Sequence, residues 1–185
     1  MSYSRRAWMG LTGLMVSAAM APAAQAALDI GDPAPNFSTI AAKAGKSFQF
    51  SLAEALAKGP VVLYFFPAAF SEGCSIEAHA FAEAIPEFEA LGATVVGVSR
   101  DDISVLSRFS LQACNGKFAV ASDESLAIAR SFDATMQHRA DYANRVSYVI
   151  SPAGKVTYSY LSLDPTRHVG NTLAALRELR QRLGK

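Results

Sequence analysis

Cysteine is scarce in this chain. Cys74 and Cys114 are the two among 185 residues, which excludes a small disulfide-stapled scaffold. No Cys-x-x-Cys pair is present, so a thioredoxin-type disulfide reductase, which would need a cysteine where Ser71 stands, is disfavoured. Histidine occurs three times, at His79, His138 and His168, and no two are placed as metal ligands usually are. The chain also lacks a Gly-x-Gly-x-x-Gly loop and a P-loop, so nothing points to a nucleotide. Neither charge dominates, with 17 basic against 16 acidic residues, which gives no footprint for nucleic acid or an anionic membrane. Repeats, linkers and low-complexity tracts are missing after residue 26.

What is present begins with an unusual leader. Residues 1–26 run from a basic start, Arg5-Arg6, through an apolar middle of roughly 12 residues to Ala24-Gln25-Ala26, the pattern of a secretory signal cleaved after Ala26. The apolar part is short and alanine-rich, whereas a membrane span needs about 20 apolar residues. Ser4-Arg5-Arg6-Ala7-Trp8 is also similar to a twin-arginine export signal, although Trp8 departs from its usual Phe or Leu. The expectation is one domain over residues 27–185, exported, with 15 basic against 16 acidic residues once the leader is gone. It should lie in the bacterial periplasm with no stable membrane association. Outside the cytosol a disulfide can persist, so a structural Cys74–Cys114 bridge is the plain reading against which any other is weighed.

The patterning of residues 27–185 is that of an α/β chain. After a turn-rich lead-in, 37–40 and 47–50 predict a hairpin around Ala44-Gly45-Lys46, followed by a short helix over 52–57. Strands are predicted at 61–66, 94–99, 146–150 and 156–161. The first two are nearly continuous apolar runs, as in strands covered on both faces. Helices are predicted at 75–91, with Ile76, Phe81, Ile85 and Phe88 on its apolar stripe and Pro86 to kink it, at 102–114, at 124–132 and at 167–183, where Leu173, Leu176, Leu179 and Leu183 recur. Strand and helix alternate until a closing hairpin and helix. Phe65, Phe66, Phe70 and Phe81 read as core and pocket wall, and Asp101-Asp102 as a helix start.

Within this order Cys74 occupies a telling position. It follows the apolar run VVLYFF, at the carboxyl end of a central strand and in the first turn of the next helix, where α/β folds usually keep their chemistry. Unpaired N–H groups and the positive end of the helix dipole favour a thiolate there, and the thiolate is the nucleophile. Pro67 shapes the exit from the strand and can shield the sulfur. Ser71 is placed to cap the helix or to donate into a pocket. Inert packing of a buried cysteine is the competing reading.

Pro67, Ser71 and Cys74 resemble the peroxiredoxin signature: Pro, three residues, Thr or Ser, two residues, Cys. The preceding VVLYFF, Gly97-Val98-Ser99, and Asn144-Arg145-Val146 leading into a strand and a Pro-Ala-Gly turn resemble the same family, the AhpC/TSA superfamily. Within it the chain is most similar to the peroxiredoxin Q (bacterioferritin comigratory protein) branch, over nearly all of residues 30–183. The resemblance implies a thioredoxin-like fold, with a central mixed β-sheet flanked by helices. It also implies a thiol-dependent peroxidase that reduces hydrogen peroxide and organic hydroperoxides in antioxidant defence. Cys74 would be the peroxidatic cysteine, oxidised to a sulfenic acid. Ser71 and the Cys74 N–H would hold the peroxide oxygens, and Arg145 would favour the thiolate and steady the charge of O–O cleavage. No metal or organic cofactor is implied. Glu77 fits a residue that positions the arginine in the family, and equally an ordinary exposed helix glutamate. The reductant would be a thioredoxin-like or glutaredoxin-like protein or a small thiol, and the protein a monomer or weak dimer.

Two departures stand out. Where many members of the branch carry a resolving cysteine, five residues after the peroxidatic one, this chain has His79, which reads as a surface histidine. Cys114 is the remaining resolving candidate, about one turn later on its helix than the branch's second pattern implies. A Cys74–Cys114 disulfide requires Cα atoms within about 7 Å, so the first turn of the Cys74 helix would have to unwind. Resolution by Cys114 and a one-cysteine mechanism both stay open, as does the contrasting reading of a non-catalytic exported module with a structural disulfide.

Overall fold

The computed structural model describes residues 27–184; the leader of residues 1–26 lies outside them. Seven strands form one mixed sheet: β1 (Ser38–Lys43), β2 (Lys46–Ser51), β3 (Val61–Phe65), β4 (Thr94–Ser99), β5 (Ala119–Ser122), β6 (Val146–Ile150) and β7 (Val156–Leu161), in the spatial order β2-β1-β5-β4-β3-β6-β7. The three central strands β5, β4 and β3 are parallel. The others pair antiparallel, so hairpins finish both edges. Among the described residues five α-helices accompany the sheet, α1 (Leu52–Leu56), α2 (Glu72–Ala90), α3 (Ile103–Gln112), α4 (Ala127–Ser131) and α5 (His168–Arg182), with a 3-10 turn at Pro165–Arg167 ahead of α5.

The strand β3 shows why its sequence has no polar alternation. Val62 and Tyr64, with Phe66 just beyond the strand, join one buried cluster with Phe81, Phe88, Leu106, Phe109 and Leu176. Val61, Leu63 and Phe65 point into a second cluster with Phe50, Leu52, Phe132, Tyr148 and Ile150. Successive side chains of a strand point to opposite faces, and here both faces are covered by apolar groups. Gly97 in β4 is paired with Tyr64. A Cβ there would stand 2.7 Å from the tyrosine ring, so the glycine makes room for a large side chain in the layer beneath α2.

Several expectations are corrected. β5 is a strand that its apolar pattern does not announce. Its four small residues, AVAS, are held by pairing to β4 on one side and β1 on the other. Ile76 is half exposed, outside the buried face formed by Cys74, Ala78, Phe81, Ile85 and Phe88, and Leu183 is also half exposed, past the end of α5. α2 starts before residue 75, at Glu72, runs through Pro86, and gives way at Gly92, whose φ of 71° suits glycine. α4 is shorter than 124–132. Asp123, ahead of it, accepts from the Ile128 and Ala129 N–H groups at 3.1 and 2.8 Å and so supplies its N-terminal acceptor. α3 ends at Gln112, so Cys114 lies beyond the helix, its N–H donating to Phe109 O at 3.2 Å.

Candidate active site

The segment between β3 and α2 is held by backbone contacts that its composition permits. Phe70 takes a left-handed φ of 64°, and Phe70 packs edge-on against Phe109 at 5.3 Å between ring centres. Asp101 anchors the loop. Its Oδ2 accepts from the Ala69 N–H at 2.7 Å and from the Ser99 hydroxyl at 2.8 Å. Asp102 alone opens α3, accepting from the N–H groups of Ser104 and Val105. Ser71 occupies the N-cap position of α2, yet its hydroxyl donates backwards to Ala68 O at 3.1 Å instead of capping the helix. The first intrahelical bond is from Ser75 N–H to Ser71 O. The N–H groups of residues 72, 73 and 74 therefore precede the helical ladder and form the positive end of the helix.

Cys74 is 1% exposed. Arg145, just ahead of β6 and 71 residues away in sequence, donates from Nη2 to Cys74 Sγ at 3.3 Å. Gly73 permits this approach, since a Cβ there would lie 3.2 Å from Arg145 Nη2. The rest of the guanidinium is equally committed: Nε donates to Leu163 O at 3.1 Å and Nη1 to Glu77 Oε2. A planar fork with three fixed acceptors has little freedom left, so the cation is aimed at the sulfur.

Glu77 lies one turn after Cys74 and on the same face of α2. It is fully buried, which replaces the expectation of an exposed helix glutamate. Burial pushes its carboxyl up to about 7, while the charge and hydrogen bond of Arg145 pull the other way. Behind Glu77 stands His168, the first residue of α5, also fully buried, with Nδ1 3.5 Å from Glu77 Oε1. Ser147 Oγ is 2.8 Å from the same Nδ1, and His168 Nε2 is 3.0 Å from Ser162 O. Burial lowers the affinity of His168 for a second proton. In the sequence His168 is one of three scattered histidines, and a histidine at a helix start carries no local signal.

Pro67 and Ser71 lie on the loop just before Cys74, with Pro67 half-buried and Ser71 exposed. His79 is exposed on α2, 3.3 Å from Glu83 and 3.4 Å from Asn115. Cys114 is fully buried in the same apolar cluster as Cys74, and both thiols are free, which does not favour the reading of a structural bridge. Burial pushes the Cys114 thiol up, far from the thiolate that thiol exchange requires. Tyr64, buried in the same cluster, has a hydroxyl without a hydrogen-bond partner among the described residues, and burial above all pushes its phenol up.

Taken as chemistry, a strand-to-helix turn with free N–H groups and a fixed guanidinium can hold an anionic sulfur and a polar group that approaches it. Comparisons with known proteins point the same way. Residues 30–159 match the AhpC/TSA family model. Peroxiredoxin Q, chloroplastic, from Oryza sativa subsp. japonica is 31% identical over 150 residues, covering 80% of this chain and 67% of that protein. Peroxiredoxin Bcp from Xanthomonas campestris pv. campestris is 33% identical over 124 residues, covering 63% of this chain and 76% of that protein. Among solved structures, peroxidoxin BcpB from Mycobacterium tuberculosis superposes with a TM-score of 0.72 at 28% identity, over 82% of this chain and 97% of that one. The reduced 2-Cys peroxiredoxin of Plasmodium vivax superposes with a TM-score of 0.76 over 84% and 99%. At 20% identity that likeness speaks for the fold alone.

Proposed function

The chain belongs to the AhpC/TSA family, and from that premise we propose that it is a thiol-dependent peroxidase in which Cys74 reduces hydroperoxides. The observation that carries this reading is the Arg145 Nη2 to Cys74 Sγ contact of 3.3 Å at the start of α2. In the first half-reaction the Cys74 thiolate attacks the terminal oxygen of ROOH. An S–O bond forms, the O–O bond breaks, the sulfur is oxidised to a sulfenic acid and the peroxide leaves as ROH after taking a proton. Arg145 and the N–H groups at the start of α2 stabilise negative charge first on sulfur and then on the departing oxygen. The Glu77 carboxyl fixes Arg145 in that position. Pro67 and Asp101 hold the loop against the sulfur, and the Ser71 hydroxyl, on turning from Ala68 O, donates to the peroxide oxygens.

In the second half-reaction a thiol condenses with the sulfenic acid, releasing water and forming a disulfide, which a thioredoxin-type reductant then cleaves. In this chain Cys114 acts as the resolving thiol once the start of α2 unwinds and frees Cys114 from its apolar surroundings. Without that step, the external thiol attacks the sulfenic acid directly. The leader of residues 1–26 supports export to the periplasm, so the reductant is an exported thioredoxin-like or glutaredoxin-like protein or a small thiol. The protein acts as a monomer or weak dimer. The direct test adds stoichiometric hydrogen peroxide to the reduced protein and follows both peroxide loss and the mass of the Cys74 peptide. Peroxide loss that persists unchanged in Cys74→Ser would refute the reading.

A further inference from the structure

Beside the Tyr64 hydroxyl, a second buried side-chain atom has no hydrogen-bond partner among the described residues: Oε1 of Glu77, which is fully buried. A carboxylate oxygen left in that state is costly, and His168 Nδ1 stands 3.5 Å from it. The hydrogen-bond chemistry of the imidazole is determined on its other side. Ser162 O can only accept, so Nε2 carries a hydrogen. A neutral ring then presents a bare Nδ1 towards Ser147 Oγ and Glu77 Oε1. A single proton at either Oε1 or Nδ1 satisfies the orphan oxygen.

We propose that Glu77 and His168 hold this proton jointly, and that through it His168 is a positioning residue for Arg145 and Cys74. Burial acts on both partners in the required sense, raising the carboxyl to about 7 and disfavouring a second proton on the imidazole. The groups facing the pair are Cys74 on α2, Arg145 ahead of β6, Tyr64 on β3, Tyr160 on β7, whose ring centre is 4.8 Å from that of His168, and Asp164 before α5. With the proton present, Glu77 is a neutral acceptor for Arg145 Nη1, and the guanidinium charge is left to the Cys74 sulfur. When the proton is gone, a carboxylate divides that charge and sets a second anion beside a Cys74 thiolate. The pair therefore favours reactive sulfur on the acidic side of its titration. This last step rests on the role proposed for Cys74.

The test begins on the wild-type protein without peroxide. Infrared spectra near pH 6 should show the carbonyl stretch of a protonated buried carboxyl, absent in Glu77→Gln. Raising the pH through about 7 should bleach that band while the His168 Nδ1 resonance in 15N NMR shifts in step. The rate of Cys74 oxidation by hydrogen peroxide should then fall along an alkaline limb with the same midpoint. Glu77→Gln should lack the limb. His168→Gln should move it to lower pH, because an amide N–H donated to Oε1 favours the carboxylate. A wild-type protein with no such band, or a band that titrates while the His168 resonance stays fixed, overturns the shared proton. So does His168→Gln leaving the band and the limb where they were. A titrating pair in a protein whose Cys74→Ser variant consumes peroxide as before would uphold the proton and overturn only the peroxidase reading.

Discussion

Replacing Arg145 by alanine probes the site at its most connected point. The substitution removes the Nη2 bond to Cys74 Sγ, the Nη1 bond to Glu77 and the Nε bond to Leu163 O at once. A hydrogen bond to a charged partner contributes roughly 1.5–3 kcal/mol net. With about 1.4 kcal/mol per factor of ten, loss of the sulfur contact alone slows Cys74 oxidation roughly 10- to 150-fold. The same change leaves Glu77 buried without its cation, a break worth roughly 3–5 kcal/mol if the carboxylate stays ionised. Proton uptake by Glu77 limits that loss, so the variant should be distinctly less stable at pH 8 than at pH 6 relative to wild type. Arg145→Lys, which keeps the charge but not the three-way fork, should recover only part of the rate. Rapid mixing with hydrogen peroxide, acid quench and alkylation of the remaining Cys74 thiol measures the rate, and circular dichroism checks the fold. A folded Arg145→Ala protein reacting within twofold of wild type across pH 5 to 9 would refute the reasoning.

Three further outcomes are expected. Glu77 binds its proton more tightly in the folded chain, with the carboxyl raised from 4.5 to about 7. Its stabilising contribution is thus full below about pH 4.5 and lost as pH rises through about 7, a loss of roughly 3 kcal/mol. Urea unfolding at pH 5 and 8 should show wild type losing that much relative to Glu77→Gln, and parallel pH dependences would contradict it. Cys114→Ser should accumulate sulfenic and then sulfinic acid at Cys74 where wild type forms an intramolecular disulfide; identical oxidation products by mass spectrometry would remove Cys114 from the cycle. Asp101→Ala deprives the Ala69 N–H and the Ser99 hydroxyl of their acceptor. It should destabilise the protein by about 1–3 kcal/mol, speed amide exchange at Ala69 and slow peroxide reduction, and unchanged exchange at Ala69 would count against an anchoring role.

The elements most legible in the sequence are those whose environment is uniform along their length. VVLYFF reads as a doubly covered strand because each residue is buried on one face or the other. Thr94–Ser99, Val146–Ile150 and Val156–Leu161 are found at their expected bounds. Ala119–Ser122 is not legible, since two alanines and a serine carry no strand preference and their conformation comes from the neighbours that pair with them. At the site, Pro67, Ser71, Cys74 and Arg145 are visible through spacing and resemblance. Glu77 is ambiguous in sequence, where a glutamate on a helix is usually solvated. Only the arrival of Arg145 from one side and His168 from the other makes its burial tolerable. Gly73 and His168 leave no trace for a related reason. The one acts by the space it leaves for a guanidinium, the other by a contact across 91 positions of chain.

The proposed peroxidase activity depends on Cys74 Sγ being the atom that meets the peroxide. The most direct measurement treats the reduced protein with one equivalent of hydrogen peroxide, traps sulfenic acid with a dimedone-type reagent and maps the adduct by peptide mass. The account predicts peroxide consumption in step with a modified Cys74, or with a Cys74–Cys114 disulfide when trapping is omitted, and neither in Cys74→Ser. Consumption that is unaffected by Cys74→Ser, or an oxidised residue found elsewhere while Cys74 remains a thiol, would contradict it.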